Sequence, residues 1–110
     1  MGRGKEINQY DIFWVTLDPT EGGEMAKTRP CVVISPDEIN KYLRTVIIAP
    51  MTTTKRKYPY RVNCLLSWKQ GSIALDQIRT VDKKRIGDYI GKLKVSEIEA
   101  LKETLQEMLC

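Results

Sequence analysis

The sequence predicts an α+β domain in which five or six short strands curl into a small barrel, closed by one C-terminal helix. Three observations support this fold class. The chain has 110 residues, enough for one modest core and too few for two domains, so we expect a single domain over 1–110. Short segments rich in β-branched and aromatic residues alternate with turn signals. Near the end of the chain, apolar residues instead recur at helical spacing.

The first half of the chain predicts two strands separated by a long loop. In order, we expect a strand over 10–17, a loop over 18–28, a buried strand over 30–34 and a short helix that ends near 40–42. The loop contains two adjacent glycines and no periodicity, and loops longer than their connection requires are commonly functional. Ser35 followed by Pro36 predicts the N-cap and the first residue of the short helix.

The second half of the chain predicts further strands. The expected elements are a two-sided buried strand over 45–49, strands over 58–66 and 71–75, a continuation or bend over 77–81, a helical turn over 82–85 and a last strand over 87–93. We expect Pro50 to end the first of these strands. Alternation places Tyr60, Val62 and Cys64 on one side of the next strand.

The C-terminal segment predicts an amphipathic helix over 96–109 that packs on the sheet. Ser96 followed by Glu99 is a capping-box pattern, which marks the start of a helix. The apolar residues at helical spacing are Ile98, Leu101, Leu105, Met108 and Leu109. One side of this helix should therefore contribute to the core.

The composition excludes several classes of site. The chain contains no histidine, which excludes Ser-His-Asp and Cys-His pairs, histidine acid–base pairs and most catalytic zinc sites. Cys31, Cys64 and Cys110 are odd in number and far apart, which favours a reducing compartment and a role as small apolar residues. No apolar run approaches membrane-spanning length. We expect a cytoplasmic protein with no cofactor and no membrane partner.

Positive charge is concentrated in the middle of the chain. Residues 44–94 carry 12 basic and three acidic residues, whereas the segments on either side are net acidic. The densest tract is Lys55-Arg56-Lys57, followed by Tyr58 and Tyr60. Clustered cations with interleaved aromatic rings are typical of a face that binds single-stranded nucleic acid. Two alternatives remain open: the charges belong to an ordinary solvated surface, and the tyrosines reflect alternation along a strand.

Without histidine, the candidate catalytic residues are polar side chains where strands meet loops. They are Glu24, Arg29, Thr52 to Thr54, Asp76, Gln77 and Arg79. Each has a structural alternative, such as an ion pair for Arg29, a turn cap for Thr52 and a backbone-bonded bend for Asp76. A carboxylate between Leu75 and Ile78 is costly to bury unless it is paired.

An RNA substrate would give these side chains definite roles. Cleavage requires the 2′-hydroxyl to attack the neighbouring phosphorus, a base to accept its proton, an acid for the leaving 5′-oxygen, and donors that stabilise the phosphorane. A carboxylate can act as the base. Arg29 can neutralise the non-bridging oxygens, and Thr52 can donate to the phosphate without adding charge. This route needs no metal, in agreement with the absence of a D-x-D carboxylate pair.

The chain resembles the MazF/PemK toxins of bacterial toxin–antitoxin systems, which are metal-independent mRNA interferases. The resemblance spans nearly the whole chain and rests on six blocks in order. They are Asp11-Ile12-Phe13-Trp14-Val15, Leu17-Asp18-Pro19-Thr20-x-Gly22-x-Glu24, Thr28-Arg29-Pro30-x-Val32-Val33-Ile34-Ser35-Pro36, Pro50-x-Thr52-Thr53, Tyr58-Pro59-Tyr60 and Asp76-Gln77-x-Arg79-Thr80.

The resemblance implies an SH3-like barrel homodimer that cuts single-stranded mRNA at short sequences, leaves 2′,3′-cyclic phosphate and 5′-hydroxyl ends, and is inhibited by a cognate antitoxin. It implies catalytic roles for Arg29 as acid or phosphorane stabiliser, Thr52 in phosphate binding, and Glu24 as base or as the residue that orients Arg29. The expected RNA-binding residues are Thr53, Lys55, Arg56, Lys57, Tyr58, Asp76, Gln77 and Arg79.

Two positions depart from the PemK-like branch of the family. That branch has a His before the loop Glu and an Arg two residues before the Asp-Gln pair, but this chain has Gly23 and Ala74 there. The acid of that branch is therefore missing. Asp76 is expected to bind RNA or to serve a structural role before a catalytic one, with Arg79 as a candidate partner.

Two other functions compete with the interferase. CcdB-like gyrase poisons share the fold but act through an exposed Trp near the end of the C-terminal helix, whereas this helix ends Met108-Leu109-Cys110. A plain RNA-binding barrel without activity would need only the basic middle segment. Substitution of Arg29 separates the interferase from the plain RNA-binding protein.

Overall fold

The computed structural model describes residues 6–17, 27–53, 59–66 and 69–110. These residues form seven strands and two helices, which confirms the α+β class. The strands are β1 Asp11–Leu17, β2 Lys27–Val33, β3 Thr45–Thr52, β4 Arg61–Leu66, β5 Lys69–Ala74, β6 Arg79–Asp82 and β7 Ile86–Lys92, and the helices are α1 Asp37–Tyr42 and α2 Val95–Leu109. Single 3₁₀ turns at Leu75–Gln77 and Lys83–Arg85 flank β6.

All strand pairs in the described part of the chain are antiparallel, and they join the seven strands into one sheet. The order is β4-β5-β3-β2-β1-β7, and β6 also pairs with β3. The two ends of this order, β4 and β7, are not joined to each other in the ladders of the described residues, so the sheet is open. Closure into an SH3-like barrel remains a prediction.

Strand β3 runs through Pro50, so the prediction that this proline ends the strand is wrong. The Ile34 N–H donates to the Ile47 carbonyl at 2.9 Å, and alternation along the ladder makes Cys31–Pro50 a non-hydrogen-bonded pair. The nitrogen of Pro50 therefore faces the other edge of β3. On that edge, pairing with β6 ends at Ile48 and pairing with β5 begins at Met51, so no N–H is required.

Both faces of the central strands are buried, as predicted for the segment 45–49. One core cluster lies between the sheet and α2 and includes Ile12, Val32 and Leu101. The other lies on the opposite face and includes Phe13, Cys31 and Ile48. Adjacent residues of one strand thus belong to different clusters, because successive side chains of a strand point to opposite faces.

The starts of both helices differ from the predicted caps. Pro36, in an extended conformation, is the N-cap of α1, whereas buried Ser35 hydrogen-bonds to Asn40 and accepts the Ile47 N–H at 3.0 Å. Helix α2 begins one residue earlier than predicted, and its cap is formed by Glu97 rather than by the Ser96–Glu99 pair.

Glu97 also explains how α2 is attached to the sheet. One carboxylate oxygen accepts the Lys94 N–H at the start of the helix, and the other accepts the Leu65 N–H of β4, both at 2.9 Å. Leu101 is fully buried on the side of α2 that packs on the sheet, but Leu109, predicted on that same side, is mostly exposed. None of the described helices is long and apolar enough to cross a bilayer.

Two further strand predictions need adjustment. Strand β4 begins at Arg61, because Tyr60 has a left-handed backbone with a φ of 62° and its side chain is exposed rather than aligned with Val62 and Cys64. The chain turns after β5, so β6 is a separate strand that pairs with β3. The predicted turn over 82–85 and the last strand are confirmed within one residue.

Candidate functional site

A cleft of about 200 Å³ opens where β2 and β3 separate, and it contains two of the predicted catalytic residues. Its walls come from four strands, β2, β3, β4 and β5, and from the residue that follows β3. The lining residues are Arg29, Pro30, Met51, Thr52, Thr53, Cys64 and Gly71. Arg29 and Thr52 therefore share one concave surface, as the sequence analysis required.

Pro30 explains why the cleft opens at this point. Along the β2–β3 ladder, every second residue pair is hydrogen-bonded. The hydrogen-bonded pairs are Ile34–Ile47 and Val32–Ala49, and the next one would be Pro30–Met51. Pro30 has no N–H to donate, so that pair loses one of its two hydrogen bonds. The ladder ends at Cys31–Pro50, and the two strands diverge into the walls of the cleft.

Gly71 permits the close approach that forms the opposite wall. Strand β5 pairs with the end of β3 through Thr52 and Ser72. A Cβ atom on Gly71 would lie 2.6 Å from the Thr52 carbonyl oxygen, closer than side chains tolerate. Only a glycine therefore fits here without displacing the backbone of Thr52.

Arg29 presents its side chain to solvent at the edge of the cleft, opposite Val15 of β1. Its guanidinium lies near the Cys31 thiol together with that of Arg79. Burial raises the pKa of the Cys31 thiol to about 12, and the two positive charges only partly oppose this effect. The shared influence on Cys31 places Arg29 and Arg79 around one point at this end of the sheet.

Thr52 is half-buried and Thr53 is exposed, so the cleft that Arg29 lines also offers threonine hydroxyls. Cys64 lines the same cleft, but burial and, to a smaller extent, the nearby Glu97 charge raise the pKa of its thiol to about 12. This cysteine is accordingly a protonated wall residue rather than a nucleophile. Within the described residues, no three His, Cys, Asp or Glu side chains are placed to hold a metal ion.

Asp76 is paired with Arg61, a partner that was not among those considered from the sequence, where Arg79 was the candidate. Two guanidinium nitrogens of Arg61 donate to the two carboxylate oxygens at 2.9 and 3.2 Å. Arg61 is directly opposite Ala74 in the β4–β5 ladder, which brings its side chain to the turn that follows β5. These hydrogen bonds hold the pKa of the Asp76 carboxyl below its usual range, although partial burial opposes them.

The predicted RNA-binding residues separate into two described groups and one that is not described. Thr53 lines the cleft, whereas Asp76, Gln77 and Arg79 are exposed outside its lining. Four predicted RNA-binding residues lie outside the described part of the chain: Lys55, Arg56, Lys57 and Tyr58. The catalytic candidate Glu24 and its neighbour Gly23 lie outside it as well.

Four residues that line the cleft had no functional role predicted from the sequence. Pro30 and Gly71 carried signals, a proline directly after Arg29 and a glycine at the start of a predicted strand. Met51 and Cys64 carried none, because only the pairing of distant strands brings them to the cleft.

A second cavity has the opposite electrostatic character. It measures about 370 Å³, lies at the β1–β7 edge and is lined by Glu6, Asn8, Asp11, Phe13, Asp88, Tyr89 and Lys92. Its single ammonium, that of Lys92, lies 3.7 Å from the Asp11 carboxylate. Three carboxylates would repel a phosphate. The smaller cleft with Arg29 is therefore the better candidate for a polyanion.

Comparison with known proteins shows the family to which the chain belongs. Residues 8–109 match the family described as the PemK-like, MazF-like toxin of type II toxin–antitoxin systems. Among solved structures, the Mycobacterium tuberculosis toxin MazF-mt6 is 26% identical, with 88% of this chain and 93% of that chain covered and a TM-score of 0.71.

Two less similar structures share the fold. MazF from Deinococcus radiodurans is 20% identical over 96% of this chain and 98% of its own, with a TM-score of 0.79. A mycobacterial endoribonuclease in complex with its cognate antitoxin is 23% identical over 93% of both chains, with a TM-score of 0.76. With the family match spanning almost every residue, this chain belongs to the PemK-like, MazF-like toxins of type II toxin–antitoxin systems.

Proposed function

We propose that this toxin is a sequence-specific, metal-independent endoribonuclease that cleaves single-stranded mRNA in the cytoplasm. The observation that carries the proposal is the cleft in which Arg29 and Thr52 lie together. A guanidinium and a hydroxyl on neighbouring strand ends suit one phosphate group, because the first supplies charge and forked donors and the second a neutral donor. Family membership and the endoribonucleases of the same fold support it.

The proposed reaction is an internal transfer of the phosphoryl group. The 2′-hydroxyl of one nucleotide loses its proton to a base and its oxygen forms a bond to phosphorus. The bond from phosphorus to the 5′-oxygen of the next nucleotide then breaks, and that oxygen gains a proton. The products are a 2′,3′-cyclic phosphate and a 5′-hydroxyl, with no water consumed.

Each proposed catalytic residue answers one requirement of this reaction. Arg29 stabilises the negative charge that develops on the phosphorane or protonates the leaving oxygen, and Thr52 donates to a non-bridging oxygen. Glu24 is proposed as the base or as the residue that orients Arg29. The pKa of Asp76 is held low by its pairing with Arg61, which makes this carboxyl unsuitable as an acid. We assign Asp76 to RNA binding or structure.

The remaining proposed contacts concern the flanking RNA and protein partners. Thr53, Gln77 and Arg79 would contact the strand on either side of the cleaved bond, as would the residues Lys55, Arg56, Lys57 and Tyr58. We propose a homodimer, since a small open sheet leaves apolar surface for a symmetric partner. An acidic, partly disordered antitoxin tail would compete with RNA for the cationic cleft.

The central test is the Arg29→Ala variant with single-stranded RNA in the presence of EDTA. We expect the wild type to cut and the variant to lose activity by about 100-fold or more, the size of effect seen when one donor to a developing oxyanion is removed. Lys102→Ala, which removes an exposed positive charge from α2, is the matched control and should cut normally. Sequencing of the fragment ends identifies the cleavage sequence.

Four results would overturn parts of this proposal. Cleavage by Arg29→Ala at the wild-type rate would remove the mechanism. Loss of wild-type activity in EDTA would show that a metal takes part. RNA that is bound by the wild type but stays intact would favour a plain RNA-binding protein, and blocked gyrase with intact RNA would favour a CcdB-like toxin.

A further inference from the structure

A second cationic surface lies at the opposite end of β3 from the cleft. We define the distal basic surface as Lys41, Tyr42, Arg44, Lys83 and Lys84. The Lys83 N–H donates to the Arg44 carbonyl at 2.8 Å, so the end of α1 and the turn after β6 are directly joined. The adjoining strand residues, Thr45 and Asp82, are paired across the β3–β6 ladder. Two segments distant in sequence thus place their basic residues side by side.

The positive charge of this surface is not balanced locally. Segments 41–44 and 82–85 together carry five basic residues and one acidic residue, Asp82. The Asp82 carboxylate accepts the Lys84 N–H at 2.9 Å and so caps the 3₁₀ turn. Asp37 at the start of α1 accepts the Gln9 N–H at 2.8 Å. Both carboxylates are thus engaged with backbone groups. Glu38, one turn before Lys41 on α1, is a further exposed carboxylate, but the five basic residues still outnumber the three acidic ones, so a polyanion would meet mainly cations here.

An exposed aromatic ring lies among these cations. The Tyr42 side chain is 75% exposed, and the Lys41 ammonium lies 5.6 Å from the centre of its ring. Unpaired bases stack on such rings while neighbouring cations track the phosphates. A folded protein or an apolar peptide would find little to bury, because Leu43 is the only other large apolar side chain exposed in these segments.

The surface is continuous with the cleft along β6. Arg79 is paired with Ile48, two residues before Pro50, where the β2–β3 ladder ends and the cleft opens, so it marks the cleft end of this path. From Thr45 to Thr52, β3 spans about 23 Å at 3.3 Å per residue. That distance corresponds to about seven nucleotides of a stacked single strand, and to fewer if the strand is extended.

We propose that the distal basic surface is a second binding site for single-stranded RNA, which holds a stretch of the substrate several nucleotides from the cleaved bond. This inference rests on the proposed function for its substrate. It adds that the enzyme favours long single strands over short ones that carry the same cleavage sequence. The surface acts on binding, not on the chemical step, because it lies too far from the cleft to touch the reacting phosphate.

The test compares Arg44→Ala/Lys84→Ala with Lys92→Ala/Lys102→Ala, a control that removes the same charge elsewhere. All four side chains are exposed, so both proteins should fold. Two substrates are used: the shortest RNA that the wild type cuts, and one longer by at least about seven unstructured nucleotides on each side. For the distal variant we expect KM on the long RNA to rise about 3- to 10-fold, with kcat and all values on the short RNA unchanged.

Two further measurements sharpen the test. The slope of log affinity against log salt should fall by about 1.4 for the long RNA when two phosphate contacts are lost. Tyr42→Ala should raise KM for the long RNA by about 5-fold or more if a base stacks on the ring. Neither change should occur in the control protein.

The outcomes separate this inference from the proposed function. Equal KM values for the distal variant and the wild type on long RNA, with cleavage intact, would overturn the second site alone. An equal rise of KM on short and long RNA would also overturn it, since that is a general effect of charge. Reduced affinity for the antitoxin with unchanged affinity for RNA would assign the surface to a protein. If the wild type cuts no RNA, weakened binding of long RNA still supports the surface.

Discussion

Gly71→Ala tests whether close contact between β5 and β3 shapes the cleft. The new Cβ would lie 2.6 Å from the Thr52 carbonyl oxygen, whereas real Cβ atoms keep at least 3.0 Å. The oxygen belongs to the backbone of a paired strand, so it cannot rotate away as a flexible side chain would. One of the two strands must therefore shift by at least 0.4 Å, the difference between these distances.

The expected cost of this shift is about 1–3 kcal/mol of the free energy of unfolding, the usual range for overpacking at a close-packed site. With a urea dependence of about 1–3 kcal/mol per molar for a small protein, the unfolding midpoint should fall by roughly 1 M. Activity should fall as well, because the hydroxyl of Thr52 is the proposed donor to the phosphate. We expect a loss of about 10-fold in kcat/KM, given that a 1 Å misplacement costs about 100-fold.

Two other glycines provide matched controls for this prediction. A Cβ on Gly91 of β7 has no heavy atom within 4 Å, so Gly91→Ala should change stability by less than about 0.5 kcal/mol. A Cβ added at Gly87 would lie 3.0 Å from the Trp14 carbonyl oxygen, so the loss of stability in Gly87→Ala should lie between those of the other two variants. Urea unfolding followed by far-UV circular dichroism measures all three. A Gly71→Ala protein as stable and as active as the wild type would refute the reasoning.

Two further predictions concern ionisable groups. Asp76→Asn should destabilise the protein by about 0.5–1 kcal/mol at neutral pH, a modest value because the side chain is partly exposed. The folded pKa of Asp76 is lowered, so its stabilisation is complete above the ordinary value of 3.8 and is lost as the pH falls through the folded value. Urea unfolding at neutral pH and below pH 3.8 should show the difference from wild type shrinking, and a constant difference would contradict the ion pair with Arg61. A thiol reagent should modify exposed Cys110 quickly but Cys31 and Cys64 only on unfolding, because burial raises both of their pKa values to about 12. Rapid reaction of three thiols in the native protein would contradict their burial.

The sequence was informative where the determinants are local. The apolar pattern over 10–17 and the helical spacing from Ile98 to Met108 predicted their elements closely. Arg29 and Thr52 were identified by their positions at strand ends and by family resemblance, and the structure places both in one cleft. Their catalytic roles stay predictions.

The errors arose where distant segments decide the outcome. Pro50 was expected to end a strand, but its effect depends on which edge its nitrogen faces and on where pairing with β6 gives way to β5. Arg79 was a candidate partner for Asp76 and Arg61 was not considered, whereas the register of β4 against β5 brings Arg61 to Asp76. Neither arrangement can be deduced without knowing which strands are neighbours.

The three-way pairing of β3 has a consequence for how cleavage specificity could diverge within this family. β3 is bonded to β2, β5 and β6, so the Thr52 side of the cleft stands on the part of the molecule that is hardest to alter. Arg29 lies on β2 beyond the last β2–β3 pair, Cys31–Pro50, and its strand is paired there with β1 alone. Substitutions on that side can change the direction from which the RNA enters while the Thr52 hydroxyl stays in place. New target sequences can therefore arise on the side of the cleft that has fewer strand partners.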